Sequence, residues 1–584
     1  MVGIFGIVNS CKIDSNLWKH MIQKMTYDST CKIDKWCHNN FAIGRTYLDV
    51  INPTFQPVFN KNKTLCLIMD GEVFNTKSDN NAEYCLNQYE KQGEKAIYAL
   101  NGAFTLAILN LEKEILTIAN DRYCLRPLYY CITGEKLLFA SEVKALPYDE
   151  TFKLTLNDAA IADFLTFGYM LGDKTFFKEI KMLPPASILT WREGRIEITR
   201  YWKYKYEEKS SHKSLDYYTD RLATLLRQAV ERRMKGNYKF GVSLSGGMDS
   251  RLILSAIDKK HYPIATITFT FSNMDDTPQI TQQLAEIFGT VHTQLKIPKD
   301  FLTKYAEKAV YITDGLLNLH TFHSISILDG FRASADIVLD GWECETNFKG
   351  KYLLPGFVSA KNDDELSEAI YKKFEVISED ERRQLLSSEW YARLKGLAFQ
   401  SVQQEVQKSE NRLYGNKGTE VVFQNHQRTY LNRTFVYRRT RYVDRKPFRD
   451  NDLIDFALTI PLELRLKKRV YKRLIKKIVP SEAQIRDNHR TIFANPILNK
   501  LYRLKNKFFG ISDYPRYGNW IKTNPKLKRY VENILLDEKT LARPYFNRDY
   551  IKQMLEEHMN GKKDHTFLIF TLLTFELWNR LFVD

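Results

Sequence analysis

Apolar and polar positions change rhythm once along this chain, near residue 205. Ahead of that point, short apolar runs are separated by Gly, Asn and Asp: GIFGIV, TLCLIMD, FTLAILNL, ILTIAN and LLFASE. Runs of that length with that punctuation predict β-strands. EYCLNQYEKQG and IADFLTFGYML carry helical spacing between them. This half is expected to be two packed sheets with helices, an α+β layer arrangement.

Beyond Trp202 the texture becomes an alternation. SLDYYTDRLATLLRQAVERRMK predicts a helix, KFGVSLS a strand, SRLILSAIDKK a helix, IATITFTF a strand, QITQQLAEIF a helix and IVLD a strand. Strand and helix in strict turn imply parallel pairing in a doubly wound sheet. From about residue 360 the spacing is mainly helical, with LIDFALTI and VYKRLIKKIV the clearest segments. The polar stretch KYKYEEKSSHKS marks a boundary near 203–212, dividing the chain into residues 1–205 and 206–584.

Composition changes this picture little. A length of 584 residues calls for two or more domains, and 44% hydrophobic residues suffice for their cores. The formal charge is +17, and the basic residues are densest in RRTRYVDRK and LKKRVYKRLIKKI. Such a charge suits a solvated lysine-rich surface or the attraction of an anionic nucleotide or substrate; a nucleic-acid partner is not the expectation. Eight cysteines include no CxxC pair, so zinc spacing is absent. Cys31, Cys37 and His38 lie close enough for a metal cluster, but free thiols in a reducing compartment are the expected state. No apolar run reaches the roughly twenty residues of a membrane span. MVGIFGIV lacks the basic start of a signal peptide, so a cytoplasmic chain without membrane contact is expected.

The stretch FGVSLSGGMDSRLIL carries the chemistry. A parallel strand ending at Ser245 aims its carboxyl end at the ligand crevice. Gly246 and Gly247 lack Cβ atoms, so backbone amides can close on oxygens, and the following helix adds unpaired N–H groups and its positive dipole end. This predicts a phosphate cradle; the Walker spacing GxxxxGK[ST] is missing. Asp249 would repel phosphate unless a cation bridged them, and magnesium suits that task. The competing reading is an ordinary glycine-containing βα turn.

SGGMDS resembles the pyrophosphate loop of the ATP-pyrophosphatase group, and of the asparagine synthetase family in particular. NGAFTLAILNLEKEILTIANDRYCLRPLYY, FASEVKAL and FFKEIKMLPPASILTW resemble that family's amidotransferase half, in order. The resemblance implies an N-terminal Ntn-hydrolase-like α+β sandwich (glutamine amidotransferase type 2-like), then an α/β doubly wound domain of the adenine nucleotide α-hydrolase type with a helical C-terminal part. It also implies ATP and Mg2+, a carboxylate activated as an acyl-adenylate, and attack by ammonia or an amine. By that resemblance Leu244 and Phe269 line an adenine pocket, with core packing as the alternative. Ser245, Gly246, Gly247, Asp249 and Ser250 would hold pyrophosphate and magnesium. His292 matches a family histidine with no settled role.

Three departures accompany the match. The family's residue 2 is a cysteine nucleophile, whereas here it is Val2, which cannot attack an amide. The oxyanion motif Asn-Gly-Glu reads Asp70, Gly71, Glu72, and a carboxylate repels a developing oxyanion. Arg45, Asp70, Gly71, Glu72 and Asp121 match glutamine-binding positions, as binding residues or as retained ion-pair partners, in a domain expected to be inactive. The second loop, VLDGWECETNFKGKY, places Asp340 where serine is usual, Gly341 as in the family, Trp342 at an acidic or small position, Glu345 at the metal-binding aspartate and Thr346 at a glutamate. Asp340 or Glu345 would complete a metal site with Asp249, or the loop holds no metal. In IRDNHRTIFANP, Arg486, Phe493 and Pro496 match, but Asn488 or His489 stands at the expected lysine, leaving Arg490 as candidate charge stabiliser. PFRDNDLIDFALTIP resembles a segment that packs the domain.

The leading expectation is an ATP-dependent ligase joining a small-molecule or peptide carboxylate to ammonia or an amine without glutamine hydrolysis. A lactam-forming cyclase, a catalytically degenerate nucleotide- or partner-binding relative and a tRNA-modifying pyrophosphatase are its rivals. A homo-oligomer is left open.

Overall fold

A computed structural model describes residues 2–9, 13–146, 154–208, 213–271, 277–342, 344, 348–485 and 517–584. Twelve strands build the first half. They are β1 (Gly3–Val8), β2 (Lys32–His38), β3 (Phe41–Tyr47), β4 (Val58–Phe59), β5 (Leu65–Val73), β6 (Gly102–Asn110), β7 (Ile115–Asn120), β8 (Tyr129–Thr133), β9 (Lys136–Ala140), β10 (Lys181–Met182), β11 (Ser187–Arg192) and β12 (Arg195–Arg200). One antiparallel sheet runs β10-β8-β9-β1-β3-β2 and the other β12-β11-β7-β6-β5-β4.

Side-chain alternation along the strands builds the layers. Ile4 and Val8 of β1 face Ile68, Leu109 and Ile118 of the second sheet. Phe5 and Ile7 face the other way, onto Leu17 and Met21 of α1 (Ser15–Met25). The second sheet is covered by Cys85 and Leu86 of α2 (Asn81–Gln92). The IADFLTFGYML helix, α3 (Asp158–Phe167), stops earlier than its apolar spacing suggests. Gly168 takes the left-handed conformation at φ +78° and caps it through its N–H to Phe164 O.

The second half is a parallel sheet ordered β15-β14-β13-β16-β17. Its strands are β13 (Phe240–Ser243), β14 (Ala265–Thr270), β15 (Val291–Lys296), β16 (Ile337–Leu339) and β17 (Val443–Arg445). The chain winds outward from β13 in one direction, then returns to its other side at β16. The crevice at that reversal is where such sheets bind ligands. Helices α4 (Leu215–Arg233), α5 (Met248–Ala256), α6 (Thr277–Phe288) and α7 (Arg469–Ile478) pack on it. No helix among the described residues is long and apolar enough to cross a membrane.

The halves share one core. The ring of Trp578 in α8 (Thr566–Phe582) lies tilted with its centroid 4.3 Å from that of Phe176, and Tyr123 donates to Asn451 Oδ1 at 3.0 Å. RRTRYVDRK, the basic run read as solvated surface, is largely interior: Arg438, Arg439, Arg445 and Lys446 are all buried. Arg438, Arg445 and Lys446 are buried with hydrogen-bond partners, and an apolar pattern cannot announce that. Arg445 grips Glu72 of β5 bidentately at 3.0 and 2.5 Å, and donates to Arg233 O at 2.6 Å. The PFRD segment behaves likewise: Asp450 accepts from Arg232, Arg233 and Asn101 at 2.9, 2.8 and 3.1 Å.

Removing one partner of a buried pair leaves the other charge uncompensated, at about 3–5 kcal/mol. Arg445→Ala is therefore expected to lower the denaturant midpoint by that order, and Arg445→Ala/Glu72→Ala by less than the two single changes summed. An additive double mutant would show that the pair does not join the halves.

Candidate active site

The strand β13 delivers the cradle at the reversal point. Leu244 is fully buried, its N–H donating to Ile267 O at 2.9 Å and its carbonyl accepting from Thr268 Oγ1 at 2.5 Å. Phe269 is half-buried on β14, its ring 5.5 Å from His323 and 6.0 Å from Phe271. Gly246 bends the chain with φ +73°, and Gly247 occupies the N-cap of α5 without a side-chain capping bond. The first-turn amides of α5 thus receive no side-chain cap, as an anion site needs. Gly247 N–H donates to Ser245 Oγ at 3.3 Å, and Ser250 Oγ donates to Gly247 O at 3.0 Å. Arg251 braces the turn from behind: it is buried and donates to Gly246 O at 2.6 Å and Ala483 O at 2.9 Å.

The second loop closes on this turn. A Cβ at Gly341 would lie 3.1 Å from Asp249 C and Ser250 N, so the loop after β16 seats tightly against the start of α5 and a larger residue would push the two apart by a few tenths of an ångström. Asp340 is buried in that loop. Its carboxylate accepts from Trp342 N–H at 2.9 Å and pairs with Arg438 at 3.1 Å. Burial raises its carboxyl above the usual range although Arg438 opposes this. Trp342 is exposed, its ring edge-on to Phe435 at 6.1 Å. His292 bonds Thr266 Oγ1 at 3.0 Å on the sheet-edge strand β15. Glu345, Thr346, Arg486, Asn488, His489, Arg490, Phe493 and Pro496 lie outside the described residues.

A resident cation meets Asp249. Lys349 Nζ lies 2.6 Å from Asp249 Oδ2, and Tyr471 OH donates to Oδ1 at 2.6 Å. Among the described residues no group of three His, Cys, Asp or Glu side chains could hold a metal, and that includes the surroundings of Cys31, Cys37 and His38. Both oxygens of Asp249 are engaged by Lys349 and Tyr471, and Glu345, the other candidate magnesium ligand, lies outside the described residues. Lys349 and Tyr471 were not singled out in the sequence.

The N-terminal pocket gathers Val2, Arg45, Asp70 and Gly71. Its would-be ligand groups are occupied by the protein itself. Arg45 donates to Asp34 at 2.9 Å and Thr54 O at 2.5 Å, and lies 4.1 Å over the Tyr47 ring. Glu72 is held by Arg445. Asp121 accepts from the amides of Phe104, Tyr123 and Leu125, while burial still pushes its carboxyl up to about 6. Gly71 keeps φ +101°, and a Cβ there would lie 1.9 Å from Ala103 O.

A family model described as a glutamine amidotransferase domain matches residues 1–202, and one described as asparagine synthase matches residues 221–580. The chain belongs to the asparagine synthase family. Asparagine synthetase [glutamine-hydrolyzing] 3 of Bacillus subtilis is 26% identical, over 82% of each chain. Asparagine synthetase [glutamine-hydrolyzing] 1 of the same organism is 21% identical, over 94% of this chain and 90% of its own. Amidase chyE of Penicillium rubens is 22% identical over 53% of this chain and 51% of its own. Within this family frame, the two antiparallel sheets form the amidotransferase half and the parallel sheet the synthase half.

Overpacking a close backbone contact costs about 1–3 kcal/mol. Gly341→Ala is expected to lower the denaturant midpoint and weaken binding of a non-hydrolysable ATP analogue together. Unchanged binding would separate the second loop from the cradle.

Proposed function

We propose that this chain is an ATP-dependent, AMP-forming amide ligase of the asparagine synthase family that works without hydrolysing glutamine. It would activate the carboxylate of a small molecule or peptide as an acyl-adenylate for attack by ammonia or an amine, in the cytoplasm. The observation that carries this reading is the glycine turn Ser245–Gly246–Gly247 at the sheet's reversal point, with the Gly341 loop packed against its helix start. In it, Ser245, Gly246 and Gly247 would bind the phosphate chain through main-chain amides, Ser250 would hold the turn in shape, and Leu244 and Phe269 would flank the base. Magnesium, when it accompanies ATP, would add charge neutralisation from the phosphate side. Lys349 would supply the protein's own positive charge next to Asp249. Donors held ready where charge develops are worth about 100- to 1,000-fold in rate.

The inactivity of the amidotransferase half is part of the same proposal. Val2 offers no nucleophile, Asp70 puts a carboxylate where a donor is needed, and Arg45, Glu72 and Asp121 are tied to protein partners. A second reading, a nucleotide-binding relative without bond-forming activity, draws support from Asp340, whose carboxylate is spent on Arg438.

Exchange of labelled pyrophosphate into ATP, screened against amino acids, peptides and other carboxylic acids, tests the ligase. At least one acid is expected to stimulate exchange, and Lys349→Met to reduce it about 100-fold. ATP binding without exchange for any acid would favour the degenerate reading, and no ATP binding at millimolar concentration would overturn both.

A further inference from the structure

The pocket between the two halves holds positive charge that no described residue neutralises fully. Arg126, from the turn after β7, and Arg439, from the segment before β17, both line it, and both are buried. Arg126 Nη1 stands 3.9 Å from Asp70 Oδ1, and Arg439 Nη1 stands 3.7 Å from Asp70 Oδ2. These are ion-pair distances, too long for hydrogen bonds. Asp70 Oδ2 is buried and accepts no hydrogen bond among the described residues. Neither guanidinium donates one to a described residue, whereas the neighbouring Arg45, Arg438 and Arg445 all do.

Two guanidiniums facing one carboxylate leave an excess positive charge in a site of low exposure. Burial, and then the charge of Arg126, push Arg439 down to about 10, while Asp70 and the more distant Asp444 oppose this only in part. Buried groups with open hydrogen-bonding capacity are costly unless a ligand or water completes them. Val2 presents an isopropyl group to the same space and cannot complete them.

We propose that a small oxyanion, a carboxylate or a phosphate, binds between Arg126 and Arg439. Arginine suits this task because its planar fork pairs with such groups bidentately. One arginine comes from each half of the chain, so the bound anion would tie the halves together. This site uses none of the residues of the cradle at Ser245, and it stands or falls independently of the ligase reading.

The test titrates the full-length chain with inorganic phosphate and, separately, with acetate. Ionic strength is held constant with chloride, and binding is read by calorimetry and by the melting temperature. Saturable binding of one of these anions with a rise in melting temperature is expected. Saturation by phosphate assigns a phosphate group, and saturation by acetate a carboxylate. Arg126→Gln and Arg439→Gln should each weaken binding at least tenfold. Asp70→Asn, which removes the competing carboxylate and restores a donor, should tighten it about tenfold. If an arginine variant fails to fold, the Asp70→Asn titration decides alone. No saturable binding of either anion at millimolar concentration, equal binding in the arginine variants, or no tightening in Asp70→Asn would overturn the proposal.

Discussion

The bidentate ion pair between Glu72 and Arg445 is the constraint on which the rest of the structure depends. Glu72 belongs to a strand of the antiparallel sandwich and Arg445 to the edge strand of the parallel sheet. A buried charge is tolerated only when paired and hydrogen-bonded, so neither residue can leave without the other. Arg445 also donates to the carbonyls of Arg233 and Lys235, which fixes β17 against the end of α4. The residue that resemblance assigns to glutamine binding is thus the anchor of the domain interface. The same economy recurs at Arg45 with Asp34 and at Asp121 with three amides. An amidotransferase frame is retained, and its polar groups are employed in holding the frame.

Much of the fold was legible in the sequence. Strands β1, β5, β6, β7 and β9 stand out as apolar runs because both of their faces are buried, and the βα alternation after Leu215 announced the parallel sheet. Strand β2, KIDKWCH, was not legible: it is a sheet edge exposed over much of its length, so its residues carry no apolar run. Strand β17 was hidden for the opposite reason. It is three residues long, two of them the charged Asp444 and Arg445, and Arg445 is buried through partners hundreds of positions away. The run RRTRYVDRK misled for that reason too, since a charge's partner is a matter of space and not of local pattern.

The site was half legible. The cradle was read correctly as a βα turn at a strand's carboxyl end, because glycine spacing and flanking periodicity are local. What met Asp249 was not read. Its carboxylate is answered by Lys349 from the second loop and Tyr471 from α7, contacts that only the closed fold brings together. Asp340 pairs with Arg438. Among the described residues Lys349 is the cation that meets Asp249, and Gly341 keeps the same loop in close contact with the helix start.

The central proposal is that the amidotransferase half serves as a structural and binding element without glutaminase chemistry. Glutamate release from glutamine, measured for the natural chain and for Val2→Cys, tests it most directly. None is expected from either, because restoring the thiol leaves Asp70 in the oxyanion position and Arg45, Glu72 and Asp121 bound to the protein. Measurable glutamate release by the natural chain would contradict the account.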